Sequence, residues 1–353
     1  MPNHKIIKNI CIVRLSAIGD VCHTLAIVRS IQAQYPNTKI TWIIGKVEST
    51  LVGDIEDIEF IVFDKKAGLI EYKNIYRKLT KRSFDVALFL HASLRANLVS
   101  VMVKSPLRIG YDFTRARELQ WLITNKKIKK SSGKHVLDTM FEFLDFIGIK
   151  KKNLDWDIPL KEKEISYAKD YCIPNKNNVV ISPCSSHRYQ NYRNWNTQNY
   201  SEAIDYLVEK LDCRVILTGS NSSYDKEFGQ RICELNNNKI TNLIGMTSLK
   251  ELAAIIKLSD LVISPDSGPI HISTAVNTKV IGLYATSNPH RTGPYNDLNL
   301  TVNAYPKACQ KYLGKKEDQL KWGKRIRNSD AMSLIKTEDL FVKIDKFFDL
   351  YRK

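Results

Sequence analysis

Three short segments combine reactive or charged side chains with turn residues that would expose them. The segment RLSAIGD covers residues 14–20, SPCSSHRYQNYRNW covers 182–195, and ISPDSGPIH covers 263–271. Each segment follows a short apolar run and precedes an amphipathic one, so each is predicted to connect a strand to a helix. Open α/β sheets bind their ligands at such connections.

In the first segment, Gly19 would let the backbone approach a ligand closely. Asp20 could act as a general base, and Arg14 could hold an anion nearby. Asp20 could also do no more than cap the helix that follows. The segment alone leaves both interpretations open. The sequence contains neither the G-x-x-x-x-G-K of a phosphate loop nor the G-x-G-x-x-G of a dinucleotide fold, which argues against kinases and ordinary dehydrogenases.

The second segment is rich in hydrogen-bond donors and contains no acidic residue. The hydroxyls of Ser185 and Ser186 and the guanidinium groups of Arg188 and Arg193 would suit the oxygens of a phosphate. The same residues could instead form an exposed polar loop that Trp195 anchors in the core. Both interpretations stay open.

The third segment is predicted to begin a helix near Ser267 and Gly268. Free amides and a partial positive charge at a helix N-terminus bind phosphate without a metal. Asp266 could then accept hydrogen bonds from the hydroxyls of a sugar. An Asp-Ser pair is also a common helix cap, and His271 could be a buried histidine with its hydrogen bonds satisfied.

Other catalytic classes lack their motifs. Ser267 is flanked as P-D-S-G-P, which departs from the G-x-S-x-G of serine hydrolases. No H-E-x-x-H and no compact group of histidines and carboxylates is present, which disfavours a zinc or iron centre. The cysteines are odd in number and form no C-x-x-C pair, so we expect reduced core residues. They are Cys11, Cys22, Cys172, Cys184, Cys213, Cys233 and Cys309.

The length and charge of the chain narrow the possible partners. Its 353 residues suffice for two domains, and its hydrophobic content of 43% indicates packed cores. The formal charge of +17 would attract nucleic acid, acidic phospholipid or a phosphorylated substrate. The lysine clusters at 126–130 and 150–152 lack interleaved aromatic residues, so nucleic acid is not expected, and each cluster could be a solvated face. No apolar run is long enough to span a membrane, so we expect a soluble protein.

The elements that must position the three segments alternate regularly along the chain. Short β-branched runs alternate with amphipathic runs from Asn9 to about residue 160 and again from Asn178. Strand–helix–strand units of this kind form parallel sheets. We therefore predict an α/β fold of two doubly wound, Rossmann-like domains that face a central cleft. The predicted domains are residues 1–165 and 175–335, followed by one amphipathic helix at 336–353 that packs back toward the first domain.

Four segments in this order resemble glycosyltransferase family 9, the lipopolysaccharide heptosyltransferases, and heptosyltransferase I in particular. They are RLSAIGDVCHTL at 14–25, ISPCSSHRYQNYRNW at 181–195, GMTSLKELAAII at 245–256 and ISPDSGPIHI at 263–272. The likeness extends over nearly the whole chain. It implies the GT-B fold, in which the first Rossmann-like domain binds the acceptor and the second binds the nucleotide-sugar donor.

The resemblance also implies roles for individual residues. Asp20 matches the catalytic base of a single inverting displacement. The implied donor-site residues are Ser185, Ser186, Arg193, Asp225, Glu227, Met246, Thr247, Ser248, Asp266, Ser267, Gly268 and His271. Among them, Met246, Thr247 and Ser248 match the positions expected near the nucleoside, and Asp225 or Glu227 is expected to hold the ribose. The expected acceptor-site residues are Arg14, Ser16, Gly19, Arg95, Arg115, Arg117, Lys134 and His135. The chain departs from the family pattern in having Arg193 for a lysine, Ser267 for a threonine, and a longer loop before Asp225.

The implied donor is ADP-L-glycero-β-D-manno-heptose, and the implied acceptor is a Kdo residue of lipid A, with no metal or cofactor. An anionic lipid acceptor implies a cytoplasmic enzyme that associates peripherally with the inner membrane, for which a basic face is suited. A close alternative is a family member with another acceptor, either a second heptose or a protein hydroxyl. A non-catalytic module that senses nucleotide sugars is a different class, and such a module would be expected to lose Asp20.

Overall fold

The chain divides into two compact units, Met1–Pro159 and Leu160–Lys353. The computed structural model describes residues 7–186, 189–237 and 240–351. In the described part of the chain, no helix is long and apolar enough to cross a membrane.

The first unit is built on a parallel six-stranded sheet of order β3-β2-β1-β4-β5-β6. Its strands are β1 (Asn9–Val13), β2 (Lys39–Gly45), β3 (Ile58–Phe63), β4 (Val86–Phe89), β5 (Leu107–Gly110) and β6 (Lys126–Lys127). Its helices are α1 (Ile18–Gln34), α2 (Lys46–Val52), α3 (Leu69–Leu79), α4 (Leu94–Ser100), α5 (Gln120–Ile123) and α6 (Val136–Phe146). A 3₁₀ turn at Lys65–Ala67 precedes α3.

The second unit is built on a parallel six-stranded sheet of order β12-β11-β10-β7-β8-β9. Its first helix is α7 (Glu162–Lys169), and its strands are β7 (Asn178–Ile181), β8 (Arg214–Leu217), β9 (Thr241–Asn242), β10 (Leu261–Pro265), β11 (Lys279–Tyr284) and β12 (Val302–Asn303). The other helices are α8 (Thr197–Asp205), α9 (Ser223–Leu235), α10 (Leu249–Lys257), α11 (Gly268–Ala275), α12 (Pro289–Thr292), α13 (Tyr305–Leu313) and α14 (Thr337–Tyr351). A π turn at Tyr206–Lys210 extends α8, and 3₁₀ turns lie at Leu298–Leu300, Glu317–Gln319 and Ala331–Leu334.

Both sheets have the same topology, because each first strand lies between its second and its fourth. In the first sheet β1 pairs with β2 and β4, and in the second β7 pairs with β8 and β10. Connections on the two sides of such a strand leave in opposite directions, which opens a crevice at the carboxyl ends. We call these two places the first and second switch points. All three chemistry-bearing segments begin there, after β1, after β7 and at the end of β10.

The central strands of both sheets are mostly apolar because helices cover both faces of each sheet. Ile10, Cys11, Ile12 and Val13 of β1 are all inaccessible to solvent. The second core has the same character, with β7, β8, β10 and β11 at its centre. All seven cysteines are buried, as expected for core residues. These rigid sheets set the positions of the loops at their carboxyl ends.

The first unit ends at Pro159, earlier than the predicted end at residue 165. Helix α7 lies beyond this boundary and packs against α10 of the second unit. The C-terminal helix begins at Thr337 and buries Leu340, Ile344 and Phe347 in the core of the second unit. The helix also contacts α8, and its predicted approach toward the first domain stays a prediction.

Candidate functional site

The first switch point brings Arg14 and Asp20 together. The Arg14 guanidinium pairs with the Asp20 carboxylate and also donates to the Leu90 carbonyl, just beyond β4. Trp42 of β2 donates from Nε1 to the Arg14 carbonyl at 3.2 Å. Groups from three adjacent strands therefore fix Arg14, and through it the carboxylate, at the carboxyl edge of the sheet.

Asp20 is both a helix cap and an accessible carboxylate. It is the third residue of α1, and its Oδ2 accepts a hydrogen bond from the Ala17 amide at 3.3 Å. Its side chain is nevertheless 32% exposed, whereas the Arg14 side chain is 9% exposed. The capping interpretation is thus confirmed, and it does not exclude contact between this carboxylate and a substrate.

His91 completes the first switch point, although no sequence motif pointed to it. It follows β4, and its Nδ1 accepts a hydrogen bond from the Leu15 amide at 3.3 Å. Burial, together with the nearby charge of Arg14, lowers the pKa of His91 to about 3. His91 is therefore neutral near pH 7 and acts there as a hydrogen-bond acceptor for the loop. The signal available in the sequence was its place directly after a predicted strand.

The acceptor residues predicted from the resemblance fall into two groups. Ser16 and Gly19 lie in the loop of the first switch point, and Arg95 and Arg117 are exposed. These four positions and Arg14 remain predicted acceptor residues.

The other three predicted acceptor residues have partners inside the first unit. Arg115 pairs with Asp112 and, at 2.7 Å, with Glu142, which also pairs with Lys134 at 2.6 Å. His135 caps α6, because its Nδ1 accepts a hydrogen bond from the amide of Leu137 at 3.1 Å. The structure gives these side chains a scaffold role, while their predicted contact with an acceptor stays a prediction.

The second switch point joins Arg193 to Asp266. Arg193 Nη1 donates to the Asp266 carbonyl at 2.6 Å and lies 3.2 Å from its carboxylate, to which Ser287 Oγ also donates at 2.8 Å. Arg193 Nε donates to Asn191 Oδ1 at 2.5 Å. The two charged side chains are 13% and 7% exposed. The carboxylate of this pair is therefore more enclosed than Asp20, while the two arginines are buried to a similar extent.

The hydroxyl-bearing loop after β7 is organised by two asparagines. The amide and hydroxyl of Ser185 donate to Asn194 Oδ1 at 2.7 and 2.8 Å. Asn191 Nδ2 donates to Ser185 Oγ at 3.0 Å and to the Ser186 carbonyl at 2.5 Å. Ser185 is buried and Ser186 is exposed, while the predicted phosphate contact Arg188 lies outside the described residues.

The beginning of α11 is not capped by its own serine side chain. Ser267 occupies the cap position, but its hydroxyl lies 2.8 Å from Ser264 Oγ, which donates to the Ser182 carbonyl at 2.9 Å. The capping interpretation of the Asp-Ser pair is therefore wrong for the Ser267 side chain. The first amides of α11, beginning with Gly268, can accordingly serve an anion. His271 is buried in the next turn of this helix.

Comparisons with known proteins agree with this arrangement. The family model "Glycosyltransferase family 9 (heptosyltransferase)" matches residues 73–322. The chain belongs to glycosyltransferase family 9. The predicted family is thus confirmed, and the protein is an enzyme that transfers a glycosyl group.

Individual relatives support the family and the fold. The lipopolysaccharide core heptosyltransferase OpsX of Haemophilus influenzae is 37% identical over 96% of both chains. The structure of a family 9 glycosyltransferase from Veillonella parvula has a TM-score of 0.78 at 20% identity, covering 97% of both chains. Escherichia coli heptosyltransferase WaaC with ADP has a TM-score of 0.74 at 18% identity, covering 96% of this chain and 99% of that one. The predicted GT-B fold is confirmed.

Asp225 and Glu227, which the family resemblance implies for the ribose, differ in burial and in hydrogen-bond partners. Asp225 is buried, and its carboxylate accepts hydrogen bonds from the Ser220 amide, the Ser220 hydroxyl and the Ser222 hydroxyl at 2.7 to 2.9 Å. Glu227 is exposed on α9. Asp225 therefore fastens the long loop before α9, which is the part of the chain that departs from the family pattern.

The residues expected near the nucleoside surround the beginning of α10. Met246 is 61% exposed, and its carbonyl accepts a hydrogen bond from the Tyr167 hydroxyl at 3.2 Å. Thr247 is half-buried, and Ser248 caps α10 through a hydrogen bond from the Glu251 amide at 3.2 Å. An exposed methionine beside a helix start offers an apolar surface that an adenine ring could contact.

An arginine-lined cavity of about 100 Å³ lies in the second unit of this family 9 enzyme. Its described lining contains no acidic residue and consists of Tyr189, Gln190, Asn191, Tyr192, Arg193, Thr286, Arg325, Ile326 and Arg327. Ile326 is buried, and its amide donates to the Thr286 carbonyl beyond β11 at 2.9 Å. Arg325 and Arg327 flank this anchor and are exposed. They lie outside the matched residues 73–322, and only the cationic run KWGKRIR signals them in the sequence.

No group of three or more histidines, cysteines and carboxylates suited to a metal occurs among the residues that the structure describes. That transfer proceeds without a metal stays a prediction. Arg193 lies next to the α11 start in an ion pair with Asp266, and a guanidinium group in this position can contact an anion directly.

Proposed function

We propose that this family 9 enzyme transfers L-glycero-D-manno-heptose from ADP-heptose to a Kdo residue of lipid A. At the coarser level, the chain is a heptosyltransferase of lipopolysaccharide core biosynthesis, as its family and its relative at 37% identity indicate. Curated relatives include proteins named heptosyltransferase 1, 2 and 3, at 23%, 23% and 23% identity. The acceptor is therefore what the proposal adds.

The observation that carries the proposal is the Asp20 carboxylate, 32% exposed and held by buried Arg14 at the first switch point. In the proposed reaction, Asp20 takes the proton from an acceptor hydroxyl as that oxygen attacks the anomeric carbon of the heptose. The bond from the anomeric carbon to the diphosphate oxygen breaks, and ADP leaves. A single displacement of this kind inverts the configuration, so a β-linked donor gives an α-linked product.

The second unit supplies what a leaving diphosphate requires. Arg193 offers positive charge, and the first amides of α11 offer N–H donors. Ser186, which is exposed, adds a hydroxyl donor. Donors that are already fixed stabilise developing negative charge without reorganising, so neither metal nor cofactor enters the proposal. Asp266, oriented by Arg193 and Ser287, would accept hydrogen bonds from heptose hydroxyls.

Charge favours a glycolipid that contains Kdo over a protein hydroxyl as the acceptor. Kdo carries a carboxylate on the acceptor sugar itself, whereas in heptosyl-Kdo-lipid A this carboxylate lies one sugar away from the accepting heptose. Exposed Arg95 and Arg117 in the first unit, together with a formal charge of +17, suit an anionic glycolipid. A lipid-linked acceptor would place the enzyme at the cytoplasmic face of the inner membrane as a peripheral protein.

The test is incubation of the pure protein with ADP-heptose and one of two acceptors, Kdo-lipid A or heptosyl-Kdo-lipid A. ADP release and product mass are followed, and NMR gives the anomeric configuration of the product. We expect one added heptose on Kdo-lipid A with an α linkage. Turnover of only the heptosylated acceptor would assign the chain to the second heptose, and donor binding without ADP release would contradict catalysis.

A further inference from the structure

Seven large apolar side chains of the first unit are exposed on adjacent elements, and we call them the apolar surface. Their exposed fractions range from 41% to 70%. They are Leu94, Leu98, Val101, Phe113, Leu119, Trp121 and Leu122. Scattered exposed apolar residues need no explanation, but a group on neighbouring elements indicates a binding surface.

Helix α4 has two apolar faces, and the core uses only one. Leu94, Leu98 and Val101 follow at intervals of four and three residues, so they share the outward face of the helix. Ala96 and Val99 point to the opposite side and are fully buried. The outward apolar face of α4 can therefore contact an apolar phase outside the protein.

The apolar surface is rigidly held at the carboxyl edge of the first sheet. Asn97 of α4 donates from Nδ2 to the carbonyls of Arg117 and Glu118 at 3.3 and 2.6 Å. Fully buried Gln120 donates from Nε2 to the Phe89 carbonyl at 3.0 Å. These bonds join the connection between β5 and α5 to α4 and to the end of β4. Exposure here is therefore a property of packed structure.

The apolar surface is bordered by positive charge. Residues 92–130 contain nine lysines and arginines but only two acidic residues. Of the acidic pair, Asp112 is paired with Arg115, and the Glu118 carboxylate accepts from the Leu94 amide. Phe113 contacts Trp121, with ring centroids 6.2 Å apart, and Lys127 Nζ lies 6.0 Å from the Phe113 ring. Four exposed lysines form this border, namely Lys126, Lys127, Lys129 and Lys130.

We propose that the apolar surface docks on the headgroup layer of an anionic phospholipid bilayer, with the lysines of residues 126–130 contacting the headgroups. Aliphatic and aromatic side chains enter the interfacial region, while lysine side chains reach anionic lipid phosphates. A second copy of the chain fits this surface less well, because the same lysines would repel each other. The inference rests on the proposed function for its purpose, since a lipid-linked acceptor has to be met at a membrane.

The first experiment is flotation of the full chain with vesicles of phosphatidylcholine containing phosphatidylglycerol, without any donor or acceptor. The variant F113S/L122S removes side chains that are 70% and 61% exposed. The matched control, V342S/L350S, removes side chains of 64% and 59% exposure from α14 in the second unit. We expect at least tenfold weaker vesicle binding for F113S/L122S and less than a twofold change for the control. Equal effects in both variants would overturn the proposal.

The second experiment tests the charged border. K126Q/K130Q is compared with K150Q/K151Q, which removes the same charge from exposed lysines elsewhere in the first unit. We expect several-fold weaker binding for the first pair only, and we expect added salt to weaken wild-type binding. Vesicle binding that does not depend on the phosphatidylglycerol content would contradict the proposal. The proposal would also be contradicted if the wild type did not bind vesicles but formed a dimer that the F113S/L122S substitutions convert to a monomer.

Activity on an acceptor without acyl chains separates this proposal from the proposed function. F113S/L122S is expected to retain wild-type turnover on such a water-soluble Kdo acceptor. If this variant, and not the wild type, lost turnover on the water-soluble acceptor, the apolar surface would serve the active site, and the docking proposal would be overturned. Wild-type vesicle binding with no turnover on any Kdo acceptor would support the surface and count against the proposed function.

Discussion

The two switch points use the same topology and the same pair of residue types but differ in how far they enclose them. In the first unit, Arg14 is buried and Asp20 is 32% exposed. In the second, Arg193 and Asp266 are 13% and 7% exposed, and Ser287 binds the same carboxylate. An accessible carboxylate can exchange a proton with a substrate, whereas an enclosed one is better suited to hold a geometry.

The positions of the paired residues along the chain support the same difference in role between the two ion pairs. Arg14 and Asp20 lie on one segment, and the arginine reaches across to the Leu90 carbonyl. Arg193 and Asp266 lie on separate segments, so their pair ties the loop after β7 to the start of α11. We therefore expect substitution of Asp20 to affect mainly the rate of the transfer reaction. Substitution of Arg193 should affect both the stability of the fold and the binding of the donor.

The strongest test of this comparison is Asp20→Asn. Loss of a general base typically lowers kcat by about 10²- to 10⁴-fold, and we expect an effect of that size here. Because the side-chain oxygen of the introduced asparagine can still accept hydrogen bonds from the Ala17 amide and from Arg14, which also keeps the Leu90 carbonyl as an acceptor, we expect the free energy of unfolding to fall less than in the Arg193 variant described next. The dissociation constant for ADP should stay near wild type. Asp57→Asn, at an exposed position, is the matched control. Full turnover of Asp20→Asn in an ADP-release assay would exclude Asp20 as the base.

The second test is Arg193→Met, which leaves the buried Asp266 carboxylate without its cation. Breaking a buried pair from one side typically costs about 3–5 kcal/mol, and we expect the free energy of unfolding to fall accordingly. Arg231→Met on the exposed side of α9 is the control and should change it little. Urea denaturation measures both variants. A stable Arg193→Met protein with weak ADP binding would mean that the second pair serves the ligand alone.

The sequence predicts the main strands and the three loops, because each combines an apolar run with turn residues. It could not reveal the edge strands β6 and β12, since they have two residues each and show no periodicity. It also did not single out His91, Arg325 or Arg327. These residues lie at the switch points because of the order of the strands in the sheets, and none of them belongs to one of the recognised motifs. The Asp225 carboxylate has partners on Ser220 and Ser222 within its own loop, and the predicted contact of Asp225 with the donor stays a prediction.

The arginine-lined cavity sharpens the comparison, because it adds charge to the second switch point outside the family pattern. We expect R325Q/R327Q to weaken the binding of an anionic substrate by about tenfold, since one charge-assisted hydrogen bond contributes about 1.5–3 kcal/mol. K321Q/K324Q removes the same charge from exposed lysines of the same segment and is the control. Calorimetry with ADP and the KM for Kdo-lipid A distinguish donor from acceptor. Equal behaviour of the two variants would show that the cavity has no specific role.

The smallest expected effect concerns His91, which tests whether the first switch point is held by a neutral histidine. Its folded-state pKa of about 3 lies below the ordinary value of 6.5, so the unfolded chain binds the extra proton first as pH falls. The contribution of neutral His91 is therefore fully present above pH 6.5 and is lost progressively as pH falls toward 3. Because His91 is partly exposed, we expect at most about 1.5 kcal/mol of this loss between about pH 6.5 and 5.

His91→Gln keeps an acceptor for the Leu15 amide and removes the titration, so its free energy of unfolding should vary less over this pH range than that of wild type. Exposed His290→Gln is the control and should follow the wild-type curve. Urea denaturation at pH 5, 5.5, 6 and 6.5 gives the three curves. Parallel curves for wild type and His91→Gln would mean that His91 has the same pKa in the folded and unfolded chains, so that burial does not keep it neutral below pH 6.5.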